Sequence, residues 1–201
     1  MAVLVGRPAP DFTAAAVLGN GEIVDSFNFK EYTAGSKVVV FFYPLDFTFV
    51  CPSELIAFDH RIEEFEKRGV KVIGVSIDSH FSHNAWRNTA VEDGGIGAVK
   101  YPLVADIKHE ICQAYDVEHP EAGVAFRGSF LIDSDGLVRH QVVNDLPLGR
   151  NIDEMLRMVD ALNFHEKEGE VCPAQWEEGK KGMDASPEGV AKYLSENAEE
   201  L

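Results

Sequence analysis

KVVVFFYPLDFTFVCPSELIAFDHRIEEFEKRGVKVIGVSID, residues 37–78, decides the fold. Its first eight residues are β-branched and aromatic, carry no polar alternation and end at Pro44, the pattern of a buried strand. PSELIAFDHRIEEFEKRG (52–69) then repeats apolar side chains at Leu55, Ile56, Phe58, Ile62 and Phe65, mostly at helical spacing, with Gly69 as the stop. VKVIGVSID (70–78) is a second buried-type strand. Strand, helix, strand in this order is a βαβ unit, so the two strands are expected to be parallel neighbours.

Outward from that unit, residues 80–95 read as a helix closed by Gly94 and Gly95, and residues 108–117 as a further helix. GSFLIDSDGLVRHQVVN (128–144) gives two strands around Ser-Asp-Gly, a hairpin signal. Residues 151–169 start at an Asn/Asp cap and carry Met155, Leu156, Val159 and Leu162 as a helical stripe. A terminal helix is expected in 188–201. No internal repeat or inter-domain linker is visible. These elements predict an α/β fold with a mixed central sheet flanked by helices, a domain over 1–165 and a C-terminal tail over 166–201.

The chain has 201 residues, with 34 Asp+Glu against 18 Lys+Arg and a formal charge of −16. Such a surface repels phosphate backbones and anionic lipid, which argues against nucleic acid or a membrane as partner and otherwise serves solubility. No run approaches the roughly 18 apolar residues of a membrane span, and MAVLVGRPAPDF lacks the basic and apolar regions of a secretory signal. A cytoplasmic location is the expectation. Three cysteines, Cys51, Cys112 and Cys172, are too few for a disulfide scaffold in a chain of this length.

Cys51 falls where the loop after the first strand meets the next helix, with Pro52 in its first turn. Free backbone N–H groups and the positive end of the helix dipole favour a thiolate there, and the thiolate is the nucleophile. A small buried hydrophobe is the competing reading. Cys51-Pro52-Ser53-Glu54 holds no second cysteine at C-x-x-C spacing, so a local dithiol is excluded and any disulfide partner lies elsewhere. Thr48 can offer a hydroxyl to the sulfur or to an oxygen substrate, and Pro44 can hold the loop and shield it from water.

YPLDFTFVCPSE carries Pro44, Thr48 and Cys51 in the Pro-x-x-x-Thr-x-x-Cys pattern, and GEVCPAQW (169–176) places Cys172 in a second Cys-Pro segment. With GRPAPDF (6–12), VIGVSID (72–78) and FRGSFLIDSDG (126–136), nearly the whole chain resembles the typical 2-Cys peroxiredoxins, which include thioredoxin peroxidases and the peroxidase subunit of alkyl hydroperoxide reductase. The resemblance implies a thioredoxin-like fold and a thiol peroxidase without cofactor or metal. It assigns Cys51 as the peroxidatic residue and Cys172, in the tail, as the residue that resolves its sulfenic acid in a disulfide between subunits. It places Thr48 and Arg127 on the peroxide oxygens, Pro44 as a shield and Glu54 as an orienting group. It also implies a homodimer, a ring of dimers, and thioredoxin or a flavoprotein disulfide reductase as electron donor.

Other signals are weaker. Cys112, beside Ile111 and one turn from Tyr115, reads as core packing. His80 and His83 stand at i, i+3 spacing without a further zinc-like partner, so a surface helix start is expected rather than a metal site. Trp176 reads as docking the resolving segment. Gly149-Arg150 before a helix is a faint anion signal, although the family often carries an arginine near the active site here. Gly94–Gly97 stands where over-oxidation-sensitive relatives have Gly-Gly-Leu-Gly, while their Tyr-Phe pair is here Tyr193-Leu194; intermediate sensitivity is the expectation. A peroxide-sensing switch or holdase is the alternative function that the same residues support.

Overall fold

A computed structural model describes residues 3–201; Met1 and Ala2, where the expected domain 1–165 begins, lie outside the described residues. The chain forms two compact units, one ending at Ile152 and one running from Asp153 to Leu201. The first contains β1 (Thr13–Val17), β2 (Ile23–Asn28), α1 (Phe29–Thr33), β3 (Lys37–Phe42), α2 (Cys51–Asp59), α3 (Ile62–Lys67) and β4 (Val70–Ser76). It continues with α4 (His80–Arg87), β5 (Leu103–Ala105), α5 (Glu110–Ala114), β6 (Arg127–Ile132) and β7 (Val138–Asn144). α6 (Ile152–Glu168) belongs to the second unit in all but its first residue, and α7 (Pro187–Asn197) lies near the end of that unit. The division expected at 165/166 falls inside α6.

The strands form one mixed sheet in the order β2-β1-β5-β4-β3-β6-β7. β3 pairs parallel with β4, in register from Lys37–Val70 to Phe42–Val75, as the βαβ pattern predicts. β3 pairs antiparallel with β6, so its C-terminal end lies beside the start of β6, where Arg127 stands. The hairpin β6–β7 is antiparallel as expected.

β3 is buried on both sides, which explains its unbroken apolar run. Val38, Val40 and Phe42 join Ile73, Val75, Val104 and Phe130 in one core cluster. Phe41 turns to the opposite face and stacks on Phe58 of α2 at 4.1 Å between ring centroids. Each such buried ring contributes about 1.5–3 kcal/mol, so this contact seats α2 on the sheet. Gly74 in β4 permits the packing: a Cβ there would lie 2.9 Å from both the Phe41 ring and the Leu103 side chain.

The helix expected over 52–69 is two helices. Its apolar spacing continues in phase, but Arg61 N–H bonds to Phe58 carbonyl, tightening the last turn of α2, and Arg61 has φ −109° and ψ 5°. The Tyr101 hydroxyl donates to the Leu55 carbonyl inside α2 and the Lys100 N–H donates to the Asp59 carboxylate, tying the end of α2 to another segment. The helix expected over 80–95 stops at Arg87, followed by a 3-10 turn at Val91–Asp93 that Gly94 closes at φ 83°. α5 and α7 are shorter than expected, while α6 matches its predicted span closely.

Candidate active site

Cys51 is the first residue of α2 and is fully buried. No side chain caps this helix, because Val50 stands at the cap position. The backbone N–H of Ser53 reaches the Val50 carbonyl at 3.1 Å and that of Glu54 only at 3.4 Å. Ser53 Oγ donates to the same carbonyl at 2.6 Å, and the N-terminal dipole of the turn faces the thiol. Pro44, buried, lies two residues beyond β3, and the segment between Pro44 and Cys51 turns back through Phe47, at φ 54°.

Thr48 Oγ1 lies 3.0 Å from Cys51 Sγ and 2.8 Å from the Leu45 carbonyl. A hydroxyl has one proton, so the two contacts define two states. With the thiol protonated, S–H donates to Oγ1 while Thr48 donates to Leu45. With a thiolate, the Thr48 proton turns to the sulfur.

Arg127, 4% exposed, reaches the site from the start of β6. Its Nη1 donates to Glu54 Oε2 at 2.7 Å and lies 3.4 Å from Cys51 Sγ, while its Nε donates to the Leu146 carbonyl at 2.7 Å. Glu54, on the first turn of α2 and 3% exposed, accepts from Arg127 Nη1 and from the backbone N, Nε and Nη2 of Arg150 at 2.7–2.9 Å. Arg150 Nη1 donates onward to the carbonyls of Phe42 and Gly128 and to Ser129 Oγ. Its guanidinium lies 5.2 Å from the Phe41 ring centroid and 5.9 Å from that of Phe58. Two arginines against one carboxylate leave one positive charge uncompensated beside the Cys51 sulfur.

Residue patterns alone take Arg127 for a surface charge; the resemblance singles it out, and the structure buries it beside Cys51 and Glu54. Arg150, only faintly signalled, is an integral member of the cluster. A second network was missed. Asp46, in the segment between Pro44 and Cys51, accepts from the Tyr43 hydroxyl and the Ser82 hydroxyl at 2.8 Å each and contacts His83 Nδ1 at 2.8 Å. Its own N–H donates to Asp78. His83 is thus a correction: α4 does start at His80, but His83 is fully buried and holds the loop rather than facing solvent. Burial first, and Asp46 next, push the Tyr43 hydroxyl well above the ordinary phenol range, so Tyr43 stays a donor.

Cys112 is buried and its thiol is pushed far above the usual range, by desolvation first and Asp106 second, which makes it inert as a nucleophile. In the second unit, Cys172 is half-buried with Sγ 3.4 Å from the Ala161 carbonyl. Partial burial pushes its thiol up, and Arg157 opposes this more weakly. Trp176 is buried against Phe164, ring centroids 4.9 Å apart, and its carbonyl accepts from Arg157 Nη1, which fixes the segment carrying Cys172 within that unit. Tyr193 is half-buried and Leu194 exposed on α7. All three cysteines are free thiols, and no helix among the described residues is long and apolar enough to cross a membrane.

Residues 5–141 match the AhpC/TSA family, and residues 161–196 match the C-terminal domain of 1-Cys peroxiredoxin. Alkyl hydroperoxide reductase C of Buchnera aphidicola subsp. Schizaphis graminum is 61% identical over 95% of this chain and 96% of its own length. That of Helicobacter pylori strain J99 is 57% identical over 99% of this chain and 100% of its own. The crystal structure of reduced Plasmodium vivax 2-Cys peroxiredoxin matches with a TM-score of 0.93 at 45% identity, covering 96% of this chain and 100% of that one. The mixed sheet with flanking helices is thioredoxin-like, as the resemblance implied.

Proposed function

From membership of the AhpC/TSA family, to which this chain belongs as a thiol-dependent peroxidase, we propose that Cys51 reduces hydrogen peroxide and organic hydroperoxides and that Cys172 resolves it. The observation that carries this reading is a fully buried Cys51 sulfur met by Thr48 at 3.0 Å and Arg127 at 3.4 Å. The Cys51 thiolate attacks the terminal peroxide oxygen, the O–O bond breaks, and the departing oxygen leaves as water or alcohol after taking up a proton. Cys51 is then a sulfenic acid. Arg127 stabilises charge on the separating oxygens, Thr48 turns its hydroxyl from sulfur to substrate, Pro44 excludes water, and Glu54 and Arg150 hold Arg127 in place.

The Cys172 thiolate then attacks the Cys51 sulfenic sulfur, hydroxide leaves as water, and a disulfide remains. We place this bond between two subunits, in a homodimer and a ring of dimers. Exposed Phe49, Phe81 and Leu148 are apolar surface that such assembly would cover. Thioredoxin or a flavoprotein disulfide reductase returns the two electrons, in the reducing cytoplasm that suits free thiols. The relatives are named as alkyl hydroperoxide reductases and peroxiredoxins, which favours catalysis over a peroxide-sensing switch or holdase.

The test is peroxide consumption together with non-reducing gel electrophoresis. Wild type should give a peroxide-induced covalent dimer, Cys51→Ser should consume no peroxide, and Cys172→Ser should complete one turnover and stop. Normal consumption by Cys51→Ser would overturn the mechanism.

A further inference from the structure

His109, Cys112 and Glu118 belong to neither the Cys51 cluster nor the Asp46 network, yet they bring an imidazole nitrogen, a thiol sulfur and a carboxylate oxygen within 4.8 Å of one another. His109 Nδ1 and Glu118 Oε1 lie 2.5 Å apart, and the Cys112 thiol lies 3.4 Å from the His109 carbonyl. The three arrive from different local structures. His109 precedes α5 in a left-handed backbone, φ 62°, a region uncommon outside glycine. Cys112 sits on α5, and Glu118 follows it, bridged to Ala125.

We propose that His109 Nδ1, Cys112 Sγ and a Glu118 carboxylate oxygen form a binding site for a divalent transition-metal ion of the zinc class, its fourth tetrahedral position open to water. Zinc takes sulfur at about 2.3 Å, and imidazole nitrogen and carboxylate oxygen at about 2.0–2.2 Å. Tetrahedral ligands of those lengths stand roughly 3.3–3.8 Å apart, so the His109–Glu118 contact must open while the wider separations close. His109 and Glu118 are only half-buried, which leaves their terminal torsions room to adjust. A thiolate and a carboxylate cancel the charge of the ion beside a neutral imidazole, and one sulfur with one nitrogen selects zinc-like ions over magnesium or calcium. Binding releases the Cys112 Sγ proton to solvent, driven by the charge of the ion against the burial and the Asp106 carboxylate that hold that thiol protonated without it, while a neutral His109 keeps its proton on Nε2.

Supporting groups are in place around the three. Gln113 Nε2 donates to Glu118 Oε2 at 2.9 Å, leaving Oε1 to the ion. Asp106 accepts from the backbone N–H groups of Ile111 and Cys112 at 3.0 and 2.7 Å, fixing the main chain that carries the thiol. Such outer contacts orient metal ligands. A plain His109–Glu118 ion pair beside a packed thiol would need no metal, and it differs in having no thiolate–metal signature.

The experiment is titration of the reduced, metal-free full-length chain with cobalt(II), then competition by zinc. The expected signature is one ion per chain, with a near-ultraviolet thiolate-to-cobalt band and the visible bands of tetrahedral coordination. Cys112→Ala should abolish the thiolate band while leaving Cys51 and Cys172 intact. H109Q and E118Q should weaken binding at least about tenfold, and Gln113→Ala about ten- to hundredfold. Near-ultraviolet circular dichroism and peroxide turnover report folding of each variant; should Cys112→Ala misfold, H109Q and E118Q at half-buried positions decide. A band undiminished in Cys112→Ala, or affinity unchanged in both H109Q and E118Q, overturns the proposal.

Discussion

Glu54→Gln removes one charge and almost no volume, which makes it a direct test of the buried cluster beneath Cys51. The carboxylate accepts two hydrogen bonds at Oε1, both from Arg150, and one at Oε2 from each of Arg127 and Arg150. Glutamine keeps one oxygen and turns an amide NH2 toward two guanidinium donors, so about two charge-assisted bonds are lost. At about 1.5–3 kcal/mol each this is roughly 3–6 kcal/mol, in line with the 3–5 kcal/mol typical of removing one partner of a buried pair. Against a total of about 5–15 kcal/mol the loss is large. Urea unfolding of the reduced protein measures it, at one protein concentration because assembly contributes to apparent stability. Because Arg150 shares the bond, an E54Q/R150K double-mutant cycle should show coupling above about 1 kcal/mol. The same variant frees Arg127 Nη1 from its anchor, and a misplacement near 1 Å can slow chemistry by about a hundredfold. A Glu54→Gln protein within about 1 kcal/mol of wild type and with unaltered peroxide kinetics refutes the reasoning.

Thr48→Val keeps the branched shape and deletes the hydroxyl; we expect kcat/KM for peroxide to fall about a hundredfold, with Thr48→Ser restoring most of it, and a wild-type rate in the valine variant would remove Thr48 from the mechanism. Cys172 carries a thiol pushed up by partial burial, so at neutral pH the attacking thiolate is the minor form. Disulfide formation, followed by stopped-flow tryptophan fluorescence, should therefore keep accelerating above about pH 8.5, the ordinary thiol value; a plateau at lower pH contradicts this. With Leu194 where sensitive relatives carry a second ring, Cys51 should reach sulfinic acid during turnover less readily than in those relatives, a yield that mass spectrometry after graded peroxide reads directly.

The βαβ unit was legible because β3 and β4 are buried along most of their length, and burial on both faces writes itself as an unbroken apolar run. β1 was not, since TAAAV is mostly alanine, and β5 is only three residues long. The break between α2 and α3 left no mark because Leu55, Phe58, Ile62 and Phe65 stay in helical phase across it. Cys51 was legible from its place at a helix start. Its partners were not: Arg127 meets Cys51 and Glu54 across separations of 76 and 73 residues, and Arg150 meets Glu54 across 96. No local pattern encodes such distances, so Arg127 came only through the family resemblance. His83 misled for the opposite reason, because a histidine in a polar helix start reads as solvated while its partner Asp46 lies 37 residues earlier.

The division of labour between the two arginines follows from which donors Glu54 has to satisfy. If Arg127 faced Glu54 alone, carboxylate and guanidinium would pair as a closed fork and the sulfur would meet a neutralised group. Arg150 prevents this by placing three donors on the carboxylate, leaving Arg127 a single Nη1 contact that also lies near Cys51. Arg150 is in turn fixed by the Phe42 and Gly128 carbonyls, at the end of β3 and the start of β6. The strand pair that begins as a core-forming run therefore sets the charge that the thiolate meets. Arg127 can face the sulfur with its Nη1 because Arg150 takes up three of the four donor contacts to Glu54.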